Sequence, residues 1–472
     1  MEPKKQHFLL VTYPAQGHIN PVLHLARRLA AANGAAVTFS TAVSAHRRMF
    51  PSLAAPDDEV QDGPVAHIPF SDGFDEEGFV WGTHDVHHYL SQLRTLGSSS
   101  VSSILQRLHG RGSPVDCVVY TFFLPWAADV ARANGVPSAQ YWIQPATVFA
   151  IYYHYFHGYS SLITTACNSE DPMSTTIDLP CLPSLRARDL PSFLTIQPDD
   201  PYAVVLSLFK DTLDTLDRKC ALSSSKPIVL MNTFAELEED ALSAVEGLTL
   251  IPIGPILSSD AGRDLFKLDE KGYMVWLDSK PRGSVVYVSF GSMAAVRKEQ
   301  TEEILNGMKD SGRPYLWVLR RECRWEGLEL QDDDENGLVV EWCSQVEVLS
   351  HPSVGCFVTH CGWNSTVESL VCGVPTVGVP QWTDQATNAV LAEKSWGTGV
   401  RGEVNGEGVL GREELKRCLD LVMGEGESSV RIKRNVELWR DKATEAMSAG
   451  GSSYQNLRKF VDGITKSGQT IF

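Results

Sequence analysis

Residues 342–385 read WCSQVEVLSHPSVGCFVTHCGWNSTVESLVCGVPTVGVPQWTDQ. Two apolar runs of strand length, 355–359 and 374–379, each give way at once to His, Gly, Asn and Ser or to Gln, Thr and Asp. Short apolar runs bounded by turn residues read as buried strands of a parallel sheet. The polar residues therefore fall where strands end and helices begin, which is where an open α/β sheet binds its ligands. The stretch predicts one wall of a cleft whose donors suit phosphate and sugar.

The same alternation runs outward in both directions. Strand candidates are 7–12, 36–41, 65–68, 115–120, 138–143 and 227–232, then 285–290, 315–319 and 338–341. Helical patterns at 21–32 and 126–134 separate some of them, which implies right-handed βαβ units. With 472 residues the chain has room for two domains. The predicted fold class is α/β, with a first domain over 1–245 and its last strand at 227–232. Gly, Pro, Ser and Asp cluster in a linker at 246–269, and a second domain covers 270–451. An amphipathic segment within 452–472 places Leu457, Phe460, Val461 and Ile464 on one face, suited to pack back on the first domain. The Pro-, Asp- and Ser-rich stretch 172–200 reads as a long surface loop with short helical turns. The acidic run 332–335 reads as a solvated loop.

A hydrophobic content of 43% with 21% charged residues is that of a globular protein in water. The formal charge of −17 argues against nucleic acid and anionic membranes as partners. An anionic ligand must then be held by local dipoles and a few donors. No run reaches the roughly 18 apolar residues of a membrane span. The ten cysteines show neither a CxxC pair nor metal spacing, so thiols in a reducing cytoplasm are expected.

Several residues can carry chemistry. His18, in PAQGHINP, stands at the carboxyl end of the first strand, just before a helix expected to begin near Pro21. The positive end of that helix disfavours an imidazolium, and a neutral imidazole is what a general base requires. A loop histidine bonding only to backbone is the alternative. His360 ends another strand, and a helix expected near Ser365 offers free N–H groups to an anion, with His360, Asn364 and Ser365 as added donors. Ser365 and Glu368 also have the spacing of a capping box. Asp384 is either an N-cap or, beside Gln385, a carboxylate that grips sugar hydroxyls. Trp342 either packs in the core or offers an indole face for stacking. A GxGxxG dinucleotide fingerprint is missing from PAQGHI, which argues against a nicotinamide dehydrogenase.

Together these residues resemble the signature of plant family-1 UDP-glycosyltransferases. WCSQ, HPSVGCF, HCGWNS, GVP and PQWTDQ all match without insertion, and PAQGHINP and VSFGS extend the likeness beyond the stretch. The resemblance implies a GT-B fold, two Rossmann-like domains facing across a cleft, with the acceptor in the first and the sugar nucleotide in the second. By that likeness Trp342 stacks on uracil, while Gln345 and Glu368 bind ribose. Ser292, His360, Asn364 and Ser365 hold the diphosphate, and Trp363, Asp384 and Gln385 face the sugar. A closing Gln385 goes with UDP-glucose as co-substrate. His18 is the implied base of an inverting transfer that requires neither metal nor cofactor. A monomer acting on UDP-glucose and a small-molecule acceptor is expected.

One departure stands out. Family members often carry an Asp, which orients the histidine, where this chain has Thr121 in VVYTFFLPW. Asp116 is close in sequence but begins the strand. Without the carboxylate His18 is a weaker base. A carboxylic acid, with a pKa of about 4, needs less help than a phenol near about 10. Thr121 therefore tilts the expectation toward glucose esters or acidic phenols, such as hormone or terpenoid acids and flavonoids. For the acceptor pocket the candidates are Phe122, Trp142, Gln144, Tyr155 and Trp382. The aromatic run 151–159 is either a wall of that pocket or a buried helix face. Arg186 and Arg188 are each placed to pair a substrate carboxylate or simply to be solvated. A C-glucosyltransferase and a catalytically idle metabolite-binding relative are the rival readings.

Overall fold

The computed structural model describes residues 5–171, 174–197, 199–222, 225–257, 272–292, 296–324 and 336–466. Within them the first half contributes β1 (His7–Val11), β2 (Ala36–Ser40), β3 (Val60–Asp62), β4 (Val65–His67), β5 (Cys117–Thr121), β6 (Ser138–Trp142), the short pair β7 (Thr176–Ile177) and β8 (Leu185–Arg186), β9 (Ile228–Met231) and β10 (Thr249–Pro252). The second half contributes β11 (Val285–Ser289), β12 (Tyr315–Val318), β13 (Gly337–Val340), β14 (Val354–Thr359), β15 (Thr376–Gly378) and β16 (Gly399–Arg401).

The second sheet runs β13-β12-β11-β14-β15-β16 and is parallel throughout. The chain winds outward from β11 to one edge, then restarts beside β11 at β14. That reversal opens a crevice at the carboxyl ends of β11 and β14. The first sheet, β10-β9-β6-β5-β1-β2-β4-β3, reverses in the same way between β1 and β5, and only its edge strand β3 is antiparallel. Strands β1, β5 and β11 are buried along their whole length, as helices on both faces demand. Two doubly wound sheets therefore each present one crevice, and both crevices carry the polar residues singled out in the sequence.

Three expectations are corrected. The strand at β9 is not the last of the first sheet. β10 lies inside the expected linker and pairs in parallel with β9, a four-residue strand too short to stand out between Gly247 and Gly254. The stretch 172–200 makes the short helical turns expected of it, Ala187–Asp189 and Ser192–Leu194, and is exposed over much of its length, but it is not all surface, since Ala187, Asp189, Leu190 and Phe193 are buried. Strand β16, three residues long, escaped the pattern altogether. The linker from 258 to 269 and the acidic run 332–335 lie outside the described residues.

The helix Ser452–Lys466 buries Leu457, Phe460 and Val461 in the core of the first sheet. Its backbone and side chains bond back to that half: Gln6 Nε2 donates to Val461 O at 2.7 Å and Asn456 Nδ2 to Pro252 O at 2.9 Å. All ten cysteines are free thiols. Among the described residues no helix is long and apolar enough to cross a membrane, and no His, Cys, Asp and Glu cluster could hold a metal ion.

Candidate active site

The helix that carries His18 starts earlier than Pro21 suggests. It spans Gln16–Asn33, because the Ala15 carbonyl already accepts from the N–H groups of both His18 and Ile19. His18 thus sits in the first helical turn, and Pro21 lies within the helix. The imidazole is packed among Tyr13, Phe122 and Phe123, with ring centroids 5.4, 5.0 and 5.2 Å away. Its Nδ1 is enclosed without a hydrogen-bond partner. Burial pushes its pKa down to about 3, so the ring is neutral at pH 7. Thr121, fully buried at the end of β5, accepts from the Tyr13 N–H at 3.4 Å. Asp116 is at the opposite end of β5, accepting from the His7 N–H at 2.9 Å.

Across from this turn lies the corner formed by β11 and β14. His360 follows β14, and its ring lies between Gly291 and Gly362. A Cβ on either glycine would approach His360 Nε2 to 2.7 or 2.6 Å, so a side chain at either position would displace the imidazole, and Gly291 also needs its left-handed φ of 74°. Burial lowers the His360 pKa to about 4. The helix after it begins at Trp363, not Ser365, with Gly362 as its cap. Ser365 and Glu368 are therefore inside the helix, which removes the capping-box reading. Both accept instead from Gln345 Nε2, at 2.8 and 2.6 Å. Ser292 stands just past β11, its carbonyl held by the Arg320 guanidinium, a residue without a sequence motif to mark it. Trp342 is half-buried in the connection between β13 and the helix Gln345–Leu349.

Trp363 is corrected. Its side chain does not face a sugar. It is buried with Phe234, Leu370 and Trp396, and its indole N–H donates to Asn232 O of the first half at 2.8 Å. What this position offers the crevice is backbone N–H of a helix start.

Asp384 and Gln385 open the helix Gln385–Val390, yet Asp384 makes no side-chain cap. Its carboxylate accepts from Thr383 Oγ1 at 2.7 Å and Asn388 Nδ2 at 2.8 Å, and the side chain of Gln144 from the first half lies near enough to lower its pKa. Burial raises the pKa of Asp384 against these bonds. Gln385 Oε1 accepts from the N–H groups of Gln381 and Trp382, at 2.8 and 3.1 Å, which turns its Nε2 away from them as a donor. Thr383 has a left-handed φ of 60°. A reciprocal clasp holds it: Ser192 N–H donates to Thr383 O and Thr383 N–H to Ser192 Oγ, both at 2.8 Å.

The acceptor side departs most from expectation. Trp142 is a core residue, 1% exposed, packed on Phe122, Phe149 and Phe209 with its N–H on Pro145 O. Tyr155 packs into a separate cluster with Ile163 and Leu185. The run 151–159 cannot form one face, because the helix breaks at His157 and Gly158, the latter at φ 107°. Arg186 pairs with Asp189 and Arg188 with Glu403, so both arginines are committed to protein carboxylates. The wall beside His18 is built by rings the sequence did not single out. Tyr13, Phe123, Phe209, Phe193, Trp382, Tyr202, Trp81, Phe79 and Tyr89 touch in that order, centroids 4.1–6.3 Å apart, and Tyr89 returns to Tyr13. Only Trp382 in this closed belt was anticipated, and it comes from the second half.

The chain that builds these two crevices, one with a neutral histidine and one with a helix start, matches known proteins over nearly its whole length. Residues 257–447 match the family described as UDP-glucoronosyl and UDP-glucosyl transferase. Phloretin 4'-O-glucosyltransferase of Malus domestica is 47% identical, over 97% of this chain and 98% of its own. The chain belongs to the plant family-1 UDP-glycosyltransferases. A second relative of this transferase, the chloroplastic crocetin glucosyltransferase of Gardenia jasminoides, is 46% identical over 99% of both chains. Among solved structures, Os79 of O. sativa in complex with UDP superposes with a TM-score of 0.80 at 31% identity, covering 97% of the transferase and 100% of Os79. The GT-B arrangement of two Rossmann-like domains follows from that likeness and from the two sheets.

Proposed function

We propose that the transferase moves glucose from UDP-glucose, with inversion, to an oxygen of a flat conjugated metabolite that is already anionic or is an acidic phenol. The observation that carries this reading is His18: neutral, ringed by aromatic side chains, and without a partner on Nδ1. Its Nε2 side is left to meet the acceptor oxygen. That oxygen attacks the anomeric carbon from the face opposite UDP, giving a β-glucoside or β-glucose ester. The helix start at Trp363, with Ser292, His360, Asn364 and Ser365, stabilises the charge that develops on the departing diphosphate. Gln345 and Glu368, already bonded to each other, take the ribose, Trp342 stacks on uracil, and Asp384 and Gln385 take the sugar hydroxyls. Helix dipole and donors replace a metal in this scheme, and the ten free thiols suit a cytoplasmic setting.

The partly exposed rings of the belt, Tyr13, Phe79, Trp81, Phe123, Tyr202 and Trp382, favour flat acceptors by offering stacking faces and edges, while Phe193, Phe209 and Tyr89 back them from the core. The test is UDP release from UDP-glucose against matched carboxylate, phenol and aliphatic-alcohol panels, with products identified by mass. Turnover of flat carboxylates or acidic phenols is expected. A preference for aliphatic alcohols, or for simple phenols over matched carboxylates, would overturn the acceptor reading.

A further inference from the structure

Pro21 lies four residues after Gly17 in the helix Gln16–Asn33. An α-helix would return the N–H of residue 21 to the carbonyl of residue 17, and proline has no N–H to return. The Gly17 carbonyl is thereby released one residue before His18. Asn364 Nδ2, from the second half of the molecule, donates to that carbonyl at 3.1 Å. Asn364 is the second residue of the helix whose start faces the diphosphate, between Trp363, bonded to Asn232 O, and Ser365, bonded to Gln345.

We propose that Asn364 is a positioning residue that acts on His18 through the Gly17 carbonyl, and that Pro21 makes this carbonyl available. Two turns from opposite halves are joined by one hydrogen bond whose donor sits at the leaving-group corner and whose acceptor adjoins the base. The bond fixes the register of His18 against the donor site. It also gives Pro21 a role in the reaction although its ring need touch neither substrate. The proposal rests on His18 being the base.

The experiment is a double-mutant cycle with Pro21→Ala and Asn364→Ala in the full-length chain, measuring kcat, KM for UDP-glucose, UDP affinity by calorimetry, and Tm. Pro21→Ala restores the helical N–H, which then competes with Asn364 for Gly17 O. A misplaced catalytic group costs on the order of tenfold to a hundredfold, so each single variant should lose kcat by about that factor. UDP affinity of Pro21→Ala should change less than about twofold, that of Asn364→Ala should fall by much less than its kcat, and the double variant should be no worse than the poorer single one. The Tm of Pro21→Ala should hold or rise, because alanine is the better helix residue, which separates positioning from stability. If Asn364→Ala weakens UDP binding as much as it slows turnover, or if the two losses multiply, the proposal fails and Asn364 is a diphosphate ligand alone. An inactive wild-type chain with every acceptor would instead overturn the function reading itself.

Discussion

With His18 as the proposed base, one missing carboxylate bears on the chemistry. With its pKa near 3, removing a proton from a phenol of pKa about 10 is uphill by on the order of 10 kcal/mol before the transition state is stabilised. An acceptor that arrives ionised avoids that step. Placing a carboxylate at the end of β5 should raise the pKa of the imidazolium and strengthen the base. Thr121→Asp is therefore expected to raise kcat/KM for a phenol by about tenfold or more while leaving a matched carboxylate within about twofold. Equal changes for both acceptors would show that residue 121 does not act through His18. That the polar motif residues gather at the carboxyl ends of β11 and β14 was legible, because each follows a short apolar run. The ring belt was not: Tyr13, Trp81, Phe123, Tyr202 and Phe209 are far apart in sequence and meet only through the fold. Trp142 misled for the same reason, since a residue at a strand end points into a core as readily as into a cleft.

At the scale of elements, strand centres were legible and their ends were not. Pro21 drew the expected start of its helix five residues late, since proline favours the first turn, whereas the Ala15 carbonyl sets the real start. The turn Ala187–Asp189 is the clearest case of tertiary structure overriding composition. Its polar sequence suggests solvent, yet Asp189 is fully buried and accepts from Arg401 Nη1 at 2.7 Å, while Asp189 O accepts from Thr387 Oγ1 at 2.7 Å. A segment of the first half is thus bolted to the element that carries Asp384 and Gln385. Removing one member of a buried pair leaves the other charge uncompensated, at a cost of about 3–5 kcal/mol. Asp189→Ala should lose stability of that order in urea denaturation and should raise KM for UDP-glucose, because the side chain that holds the turn through the Arg186 N–H and Arg401 no longer fixes the backbone carbonyl that Thr387 uses. The double replacement Asp189→Leu with Arg401→Met should recover much of the stability. Recovery of stability without recovery of KM would mean the pair also tunes the sugar site electrostatically.

At the scale of the molecule, both halves depend on groups kept neutral or apolar inside them. His18, His24 and His360 have pKa values lowered by burial to about 3, 4 and 4. A group with a lowered pKa binds fewer protons folded than unfolded. Its contribution is therefore complete above about pH 6.5 and lost as pH falls from there toward about 4. The urea midpoint should drop over that window, and a midpoint unchanged down to pH 4.5 would contradict it. The final helix makes the other whole-chain demand. Phe460 is fully buried, its ring 6.0 Å from Phe8 in the first strand, so the end of the chain completes the core begun at its start. Truncating a buried phenylalanine costs about 3–5 kcal/mol, against a total stability of about 5–15 kcal/mol for a typical domain. Phe460→Ala should accordingly destabilise the half built on the first sheet, read as a loss of that size in urea and as early hydrogen exchange in β1 and β5. Because the proposed UDP site is built on the other sheet, UDP should still slow exchange in β11 and β14 of the variant. If exchange rose equally in both sheets, the two halves would unfold as one unit, and the contacts across the cleft, not the final helix, would set the stability of the whole.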